Sequence, residues 1–285
     1  MTTSSTSHPR GVASLGDVPG TLVLVGAGKM GGAMLEGWLG LRLDPAKVVV
    51  IEPQPIPAIA ALARRGVRVL AAPEPVRDAA AVVIAVKPQS AAEVVPRLAG
   101  TVGAQTVVLS IMAGKTLAGL ARMLPAGTAI VRTMPNLPAS IGRGITVAVG
   151  NAAVTSRQRD LADRLIAATG TAEWVEDEAL LDAVTAVSGS GPAYVFLLAE
   201  TLARAGARAG LPADLSARLA RATVAGSGEL LRRSELDAAT LRQNVTSPGG
   251  TTAAALAVLM AASGLPRLME EAVAAAARRA GELAD

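Results

Sequence analysis

The sequence predicts an α/β protein in which a doubly wound, mainly parallel sheet is followed by an all-helical domain. Short aliphatic runs alternate with helical segments from residue 21 to about residue 150, a pattern typical of βαβ units. A glycine-rich turn follows the first run. Beyond about residue 176 the chain contains Ala- and Leu-rich helical segments and no run typical of a strand.

The composition limits the classes of function. The 285 residues suffice for about two domains, and 51% hydrophobic against 18% charged residues predicts a large core. Aromatic residues make up only 1%, and the net charge of +4 is scattered, so we expect no nucleic-acid partner. Cysteine is absent and the single histidine is His8, which disfavours a metal site and a histidine-based triad.

Mean hydropathy is high enough, at +0.43, to raise the question of a membrane span. The charge-free stretch 243–266 is interrupted by proline and glycine, and its apolar part, 253–262, is about half the ~20 residues that a span needs. Residues 1–18 lack the apolar core of a signal peptide. We therefore expect a cytoplasmic protein without a membrane partner, with a flexible tail (1–18) and two domains (19–176 and 177–285).

Each predicted element follows from its local pattern. Aliphatic runs bounded by turn residues predict strands at 21–25, 47–51, 67–70, 80–86, 106–111, 128–133 and 144–149. The segments between them predict helices at 30–41, 56–65, 90–98 and 117–123. In the second domain, glycine, proline and serine separate helices predicted at 179–187, 192–210, 213–233, 251–262 and 266–283.

The turn after the first strand carries the pattern Gly-Ala-Gly-Lys-Met-Gly and opens the first helix. Backbone N–H groups in such a turn, together with the helix N-terminus, bind a pyrophosphate, although a tight turn alone also favours glycine. This context predicts a Rossmann-type dinucleotide site. We expect contacts with the cofactor from Val25, Gly26, Ala27, Gly28, Lys29 and Met30.

Glu52 ends the second strand, about 20 residues beyond the glycines. A carboxylate there accepts hydrogen bonds from the ribose hydroxyls of NAD and repels the 2′-phosphate of NADP. Arg64 and Arg65 would offset that repulsion if the following helix turned them inward, and the helix N-terminus could offset it as well. A solvated Glu beside a proline-rich turn is the alternative. The choice between NADH and NADPH stays open at this point.

Three more strand ends carry candidate cofactor contacts, since ligands of open α/β sheets bind at the carboxyl ends of strands. Asn136, held between two prolines, is placed to offer its amide to the nicotinamide carboxamide. Each segment alone would be an ordinary loop, but three successive ends indicate one crevice. The candidates are Ala85, Val86, Lys87 and Pro88 after the fourth strand, Met112 and Ala113 after the fifth, and Asn136 after the sixth.

The helical half contains two glycine-rich motifs. Residues 188–194 (SGSGPAY) precede a long helix, where close packing and a general-acid role for Tyr194 are both open. In 244–252 (NVTSPGGTT), hydroxyl side chains surround a diglycine directly before an apolar helix. That arrangement predicts an anion site suited to a carboxylate, with a simple hydroxyl N-cap as the alternative.

Six segments, in order, resemble those of pyrroline-5-carboxylate reductases: GAGKMGGAM (26–34), AVKPQ (85–89), SIMAG (110–114), VRTMPNLPASIGRG (131–144), AVSGSGPAYVF (186–196) and NVTSPGGTT (244–252). The resemblance implies a Rossmann domain followed by a helical dimerisation domain, in a homodimer or a higher ring of dimers. It also implies reduction of the cyclic imine 1-pyrroline-5-carboxylate to L-proline by NADPH or NADH, the last step of proline biosynthesis.

The same resemblance implies the substrate site. The imine carboxylate would be held by Gly250, Thr251 and Thr252 with help from Ser247, while Asn244 and Glu178 match further substrate-binding positions. The Thr252 hydroxyl is the candidate catalytic contact to the ring nitrogen. Two positions depart from the family pattern. Glu52 stands where many NADPH-using members have a small polar or basic residue, and Ala72 or a neighbour stands where an Asn near the adenosine is common.

Two other functions compete with imine reduction. A 3-hydroxyacid dehydrogenase shares the two-domain plan but uses a lysine of its helical domain, whereas the last lysine here is Lys115 and the helical half has no histidine. A protonated cyclic imine is already electrophilic, so orientation of the reactants matters more than an acid or base. A non-catalytic nicotinamide-binding regulator is the second alternative, which a turnover assay separates.

Overall fold

The computed structural model describes residues 14–284. Of these, 14–189 together with 277–284 form one compact unit, and 190–276 form a second. The first unit therefore continues past residue 176, where the sequence analysis set the domain boundary, and it includes the end of the last helix. The two compact units thus divide at residue 189, because the segment after residue 176 packs with the sheet through Glu178 and Leu181.

The first unit is built on one sheet with the strand order β3-β2-β1-β4-β5-β6-β7-β8. Neighbouring strands are parallel except for β6 and β7, which are antiparallel. This confirms the predicted doubly wound, mainly parallel sheet. The strands are β1 (Thr21–Val25), β2 (Val48–Ile51), β3 (Arg68–Leu70), β4 (Ala79–Ile84), β5 (Val107–Ser110), β6 (Ala129–Met134), β7 (Gly144–Gly150) and β8 (Gly170–Trp174).

The helices of this unit are α1 (Lys29–Gly40), α2 (Pro57–Ala61), α3 (Ala91–Val94), α4 (Leu117–Met123), α5 (Ser156–Ala167) and α6 (Leu180–Val184). The predicted helices after β2 and β4 are shorter than expected, because each continues as a 3₁₀ turn, Leu62–Arg65 and Val95–Leu98. The sequence patterns did not predict α5 or the half-exposed edge strand β8. The capping box of Thr155 and Gln158 was a usable signal for α5.

The core lies on both faces of the sheet. Alternate residues of a strand face opposite sides, so Leu22 and Leu24 of β1 join one apolar cluster, while Val23 and Val25 join the other. Trp38 of α1 is fully buried in the first cluster, and its indole N–H donates to the Leu165 carbonyl at 2.9 Å. The carboxyl ends of β1, β2, β4, β5 and β6 are thereby held rigidly along one edge.

Residues 14–18 were predicted to belong to a flexible tail, but the structure packs them into this unit. Leu15 and Val18 are fully buried. The Leu15 amide donates to the Leu41 carbonyl at 2.8 Å, and the Lys47 ammonium donates to the Val18 carbonyl at 2.8 Å. Two buried aliphatic side chains thus correct the tail prediction for this segment, while residues 1–13, with His8, lie outside the described residues.

The second unit is helical, as predicted. Its helices are α7 (Gly191–Arg208), α8 (Ala213–Arg233), α9 (Ala238–Asn244), α10 (Thr251–Leu259) and the first part of α11 (Leu265–Glu282). A Cβ at Gly206 would collide with the Ser216 hydroxyl, which donates to the Ala203 carbonyl at 2.7 Å, so α7 and α8 approach closely. Helix α9 was not predicted from the sequence; Asp237 caps it by accepting a hydrogen bond from the Thr240 amide at 2.7 Å.

Candidate active site

The three glycines of the turn after β1 have different roles. Gly26 has a φ of +91°, and a Cβ there would lie 2.8 Å from the Ala85 carbonyl oxygen. A Cβ at Gly31 would collide with the Gly26 carbonyl. At Gly28, by contrast, a Cβ would meet nothing within 4 Å. The fold therefore requires Gly26 and Gly31, whereas Gly28 keeps open the space in which a ligand would approach the backbone.

Gly28 is also the N-cap of α1, and no side chain caps this helix. The N–H groups of its first turn are therefore free of a side-chain acceptor and form an anion site at the positive end of the helix. Lys29, the first residue of α1, is exposed beside it. This is the arrangement that a dinucleotide pyrophosphate requires, so the residues present fit the predicted cofactor.

Glu52 lies directly after β2, on the same edge of the sheet. One carboxylate oxygen accepts a hydrogen bond from the Ala27 amide at 2.9 Å, and the other accepts from the Gln54 amide at 3.2 Å. The carboxylate therefore does not point freely into solvent, as the alternative interpretation supposed, but is attached to the glycine-rich turn.

The segments after β4 and β5 lie along the same edge. The Ala85 amide donates to the Val25 carbonyl at 2.7 Å, which holds the two loops side by side, and Lys87 is exposed. Met112 is 2% exposed, so its side chain belongs to the core and only its backbone can contact a ligand. Ala113 is exposed. The loop then turns at Gly114, where a Cβ would lie 2.6 Å from the Leu283 carbonyl oxygen.

Asn136 follows β6 and is partly buried. Its amide oxygen accepts a hydrogen bond from the Ile145 backbone at 3.0 Å, which sets the orientation of the side chain. Because the oxygen is used internally, the amide nitrogen is the group left to donate to a ligand. The predicted donation to the nicotinamide carboxamide is compatible with this orientation.

Glu178 lies just before α6 and has partners within the first unit. The same carboxylate oxygen accepts from the Leu117 amide at 2.8 Å and from the Arg132 guanidinium at 2.8 Å. Leu117 begins α4, directly after the loop that follows β5. This oxygen is therefore committed to the fold and gives Glu178 a positioning role, while the substrate contact that the resemblance implies stays a prediction.

A π-helical turn, Thr185–Gly189, connects α6 to α7. A Cβ at Gly189 would collide with the methyl group of Met134, so the glycine of the SGSG motif is required for packing against the end of β6. Tyr194 lies in the first turn of α7 and is partly buried. The structure thus gives the first half of this motif a packing role and leaves the chemical role of Tyr194 a prediction.

The turn between α9 and α10 forms the second candidate anion site. Gly249 has a φ of +66°, and the Gly250 amide donates to the Ser247 carbonyl at 3.0 Å, which folds the chain sharply before α10. Gly250 is the N-cap of α10 and no side chain caps the helix, which rules out the simple hydroxyl cap as the role of this motif.

The N–H groups at the start of α10 therefore lack a side-chain acceptor, as at α1. Within residues 14–284, the hydroxyls of Ser247, Thr251 and Thr252 and the side-chain amide of Asn244 form no hydrogen bond. Backbone and side-chain donors thus lie together in one turn, as binding of a small carboxylate requires.

Two family models match the chain. The model described as pyrroline-5-carboxylate reductase dimerisation matches residues 178–283, which include all of the helical unit. The model described as NADP oxidoreductase, coenzyme F420-dependent, matches residues 21–114, from β1 to the loop after β5.

Curated relatives and solved structures agree with the dimerisation model. The pyrroline-5-carboxylate reductase of Pseudomonas aeruginosa is 37% identical over 265 residues, covering 93% of this chain and 97% of that protein. The Mycobacterium tuberculosis reductase is 39% identical over 285 residues, covering 92% and 96%. The structure of the Coxiella burnetii reductase is 32% identical with a TM-score of 0.85, covering 93% of this chain and 99% of that one.

The structure of the Plasmodium falciparum pyrroline carboxylate reductase, with NADP bound, is 28% identical with a TM-score of 0.79 and covers 94% and 99% of the two chains. The alignments extend from the glycine-rich turn to the helical unit and span nearly the full length of these relatives. The chain therefore belongs to the pyrroline-5-carboxylate reductase family.

Proposed function

We propose that this chain reduces 1-pyrroline-5-carboxylate to L-proline with a reduced nicotinamide dinucleotide, as the last step of proline biosynthesis in the cytoplasm. Family membership supports the reaction. The observation that carries the proposal is the start of α10, where backbone N–H groups without a side-chain cap lie beside three hydroxyls that form no hydrogen bond among residues 14–284. A cyclic imine with one carboxylate fits such a turn.

The first unit would hold the cofactor, which when bound supplies a hydride to an electrophilic carbon. The first turn of α1 would bind the pyrophosphate, and Glu52 would accept from the adenosine ribose. Asn136, oriented by its bond from the Ile145 amide, would donate its amide N–H to the carboxamide and so select one face of the nicotinamide ring.

The second unit would hold the substrate carboxylate through Gly250 and Thr251, with Ser247 and Asn244 as further donors. Thr252 is one residue further along α10, and its hydroxyl would contact the ring nitrogen and fix the orientation of the imine. No base is required there, because the protonated imine already carries the proton that its nitrogen keeps. This agrees with a helical half that contains neither lysine nor histidine.

The deciding experiment is a turnover assay with 1-pyrroline-5-carboxylate and each reduced dinucleotide, with a 3-hydroxyacid and oxidised dinucleotide as the parallel reaction. We expect proline to form and the hydroxyacid to remain unreacted. Oxidation of the hydroxyacid would favour the dehydrogenase alternative. Cofactor binding without turnover of either substrate would favour a regulatory nicotinamide-binding protein.

We further propose a homodimer as the minimum assembly, with a higher ring of dimers compatible with it. In the described part of the chain, residues 14–284, no residue of helices α7, α9, α10 and α11 is fully buried. A helix with an uncovered apolar face requires another packing partner. The exposed large apolar side chains of this unit include Phe196, Leu197, Leu198, Leu230, Val258 and Leu268.

One helical stretch in the described part of the chain, Leu180–Arg208, is long and apolar enough to cross a membrane, and only 11% of its most apolar window is buried. We propose that a second copy, rather than lipid, covers this stretch, because the matching dimerisation model contains it. Light scattering without detergent should give at least twice the chain mass of 28.5 kDa. A stable monomer, or a protein that dissolves only with detergent, would contradict this.

A further inference from the structure

We propose that this chain binds NADH in preference to NADPH, because the end of β2 presents a fixed carboxylate and no residue between Glu52 and α2 carries a cation to offset it. The inference rests on the proposed function only in taking the glycine-rich turn as a nicotinamide dinucleotide site. It concerns the adenosine end of the cofactor and is independent of the substrate reduced.

The carboxylate of Glu52 is held at both oxygens. The Ala27 amide donates to one oxygen and the Gln54 amide to the other. Turning the side chain away from a bound cofactor would break two hydrogen bonds to a charged acceptor, which are stronger than bonds between neutral groups. The negative charge therefore stays where β1 and β2 end.

In a dinucleotide-binding fold of this type, the adenosine ribose lies at the end of β2, beside the glycine-rich turn. Each carboxylate oxygen of Glu52 accepts one bond from the protein and keeps a second lone pair. The two oxygens can thus accept from the 2′- and 3′-hydroxyls of NADH without rearrangement. A 2′-phosphate has no proton to donate at neutral pH and meets a like charge.

The loop after Glu52 offers few backbone donors and no cation in compensation; the side-chain amide of Gln54 and the uncapped first turn of α2 are neutral donors. Pro53, Pro55 and Pro57 lack a backbone N–H, and the N–H of Gln54 is already bound to Glu52. Only Ile56 is left as a backbone donor before α2 begins at Pro57. None of the residues between Glu52 and α2 carries a cation or a hydroxyl.

The cations that would offset the carboxylate lie at the other edge of the sheet. Arg64 and Arg65 end the 3₁₀ turn after α2, just before β3, which runs parallel to β2. At Arg64 and Arg65 the chain has therefore returned to the edge of the sheet where the amino ends of the parallel strands lie, opposite to the edge that carries Glu52. Arg65 lines a cavity together with Leu39 and Gly40, at the end of α1 that lies roughly 18 Å from the glycine-rich turn. The compensation considered from the sequence is therefore not available.

Lys29 is the cation on this turn. It follows Gly28 at the start of α1, at the position expected for the pyrophosphate, which both cofactors share. Its charge should therefore strengthen the binding of NADH and NADPH alike.

The 2′-phosphate of NADPH is a monoester that carries close to two negative charges. The fixed carboxylate of Glu52 should therefore weaken NADPH binding at least about tenfold relative to NADH binding.

The test is a titration of the purified full-length protein with NADH and with NADPH, followed by cofactor fluorescence or calorimetry without substrate. We expect the Kd for NADPH to exceed that for NADH by at least about tenfold at low salt, and by less at high salt, since exposed charges are screened. The variant Glu52→Gln keeps an acceptor oxygen but loses the charge. In this variant the ratio of the Kd for NADPH to the Kd for NADH should fall at least about fivefold.

Two further variants complete the test. Glu36→Gln removes the same charge from the exposed face of α1, and it should leave the ratio as in the wild type. Gln54→Arg leaves Glu52 in place and adds a cation to the proline-rich loop, so it should selectively strengthen NADPH binding even if Glu52→Gln folds poorly. A wild-type ratio below about threefold overturns the proposal. So does a ratio that Glu52→Gln leaves unchanged.

These results are separate from those that test the reaction. NADH preference without turnover of 1-pyrroline-5-carboxylate would support this inference and contradict the proposed function. Turnover of 1-pyrroline-5-carboxylate with NADPH, together with a Kd for NADPH no higher than that for NADH, would support the proposed function and contradict this inference.

Discussion

The carboxylate of Glu178 and the guanidinium of Arg132 form an ion pair at 2.8 Å, with side chains 28% and 7% exposed. Arg132 lies on β6, directly opposite Ser110 at the end of β5. The same carboxylate oxygen accepts from the Leu117 amide at the start of α4. The loop between Ser110 and Leu117, which carries two of the candidate cofactor contacts, is therefore held at its downstream end by Glu178.

We expect Glu178→Ala to lower the free energy of unfolding by about 2–4 kcal/mol, because it leaves a buried guanidinium and a helix N–H without their acceptor. The KM for the cofactor should rise, and a matching rise in the KM for the imine would support the predicted substrate contact of Glu178. Urea denaturation and steady-state kinetics measure the two effects.

Glu176→Ala is the matched control for this pair. Its carboxylate is 91% exposed and 3.7 Å from Arg159, so its removal should cost less than about 0.5 kcal/mol. Equal stability losses in the two variants would show that the Glu178 pair contributes no more than a surface contact.

Thr252→Ala should lower kcat/KM for the imine by more than about tenfold, since a positioned donor at a reacting centre commonly contributes about 10²–10³ in rate. Thr252→Ser keeps the hydroxyl and should retain most of the activity. Steady-state kinetics on variants with unchanged melting temperature are the measurement. If the alanine variant matches the wild type, Thr252 has no part in the mechanism.

Gly28→Ala should lose cofactor affinity, whereas Gly26→Ala should lose folding stability. Gly28 has an ordinary φ of −66° and open space at its Cβ position, so the alanine variant should fold with stability within about 1 kcal/mol of wild type. Its added methyl group should weaken cofactor binding at least tenfold by filling the pyrophosphate position.

Gly26→Ala should instead unfold more easily by several kcal/mol, because a side chain at a φ of +91° is strained and its Cβ would press on the Ala85 carbonyl. Thermal melting with and without NADH separates the two variants. Normal cofactor affinity in Gly28→Ala would place the pyrophosphate elsewhere.

Leu15→Ala should destabilise the first unit by about 2–4 kcal/mol, the usual cost of removing a fully buried leucine side chain. Ile56→Ala is the control, since Ile56 is 59% exposed and its truncation should have little effect on stability. Chemical denaturation of both variants is the measurement. Equal stabilities would mean that residues 14–18 are not part of the folded unit.

Acidification should weaken an ion-pair cluster at the end of α8. Hydrogen bonds from Arg232 and Arg233 lower the pKa of Glu229 to about 2 from its ordinary value of 4.5. A depressed carboxyl pKa in the folded state adds stability that is present above the unfolded pKa and is lost as pH falls from about 4.5 towards 2.

The wild type should therefore lose more stability across that pH range than Glu229→Gln does, by a modest amount since the group is exposed. Denaturation at pH 6 and pH 3 measures the difference. Replacing both Arg232 and Arg233 with Gln should reproduce the behaviour of Glu229→Gln; a wild-type pH dependence in that double variant would exclude the arginines as the cause.

The sequence alone determined where the main elements lie. Short aliphatic runs bounded by turn residues, such as 21–25 and 106–111, favour buried strands, and glycine patterns locate turns because few other residues adopt their backbone angles. These local constraints predicted the sheet, the cofactor edge and the turn before α10. The polar, charged segments that form α5, β8 and α9 carry weaker hydrophobic patterns, and they were missed.

The tertiary structure decided what the side chains do. Only the packing of β1 against β4 shows that Gly26 is required by the fold and that Gly28 is left open. Only the return of the chain through α2 to the amino edge shows that Arg64 and Arg65 are remote from Glu52. Glu178 and Arg132 are 46 residues apart in the chain. Ion-pair partners so far apart in the chain cannot be recognised from a local sequence pattern. Their contact depends on which strands and helices the complete fold brings together.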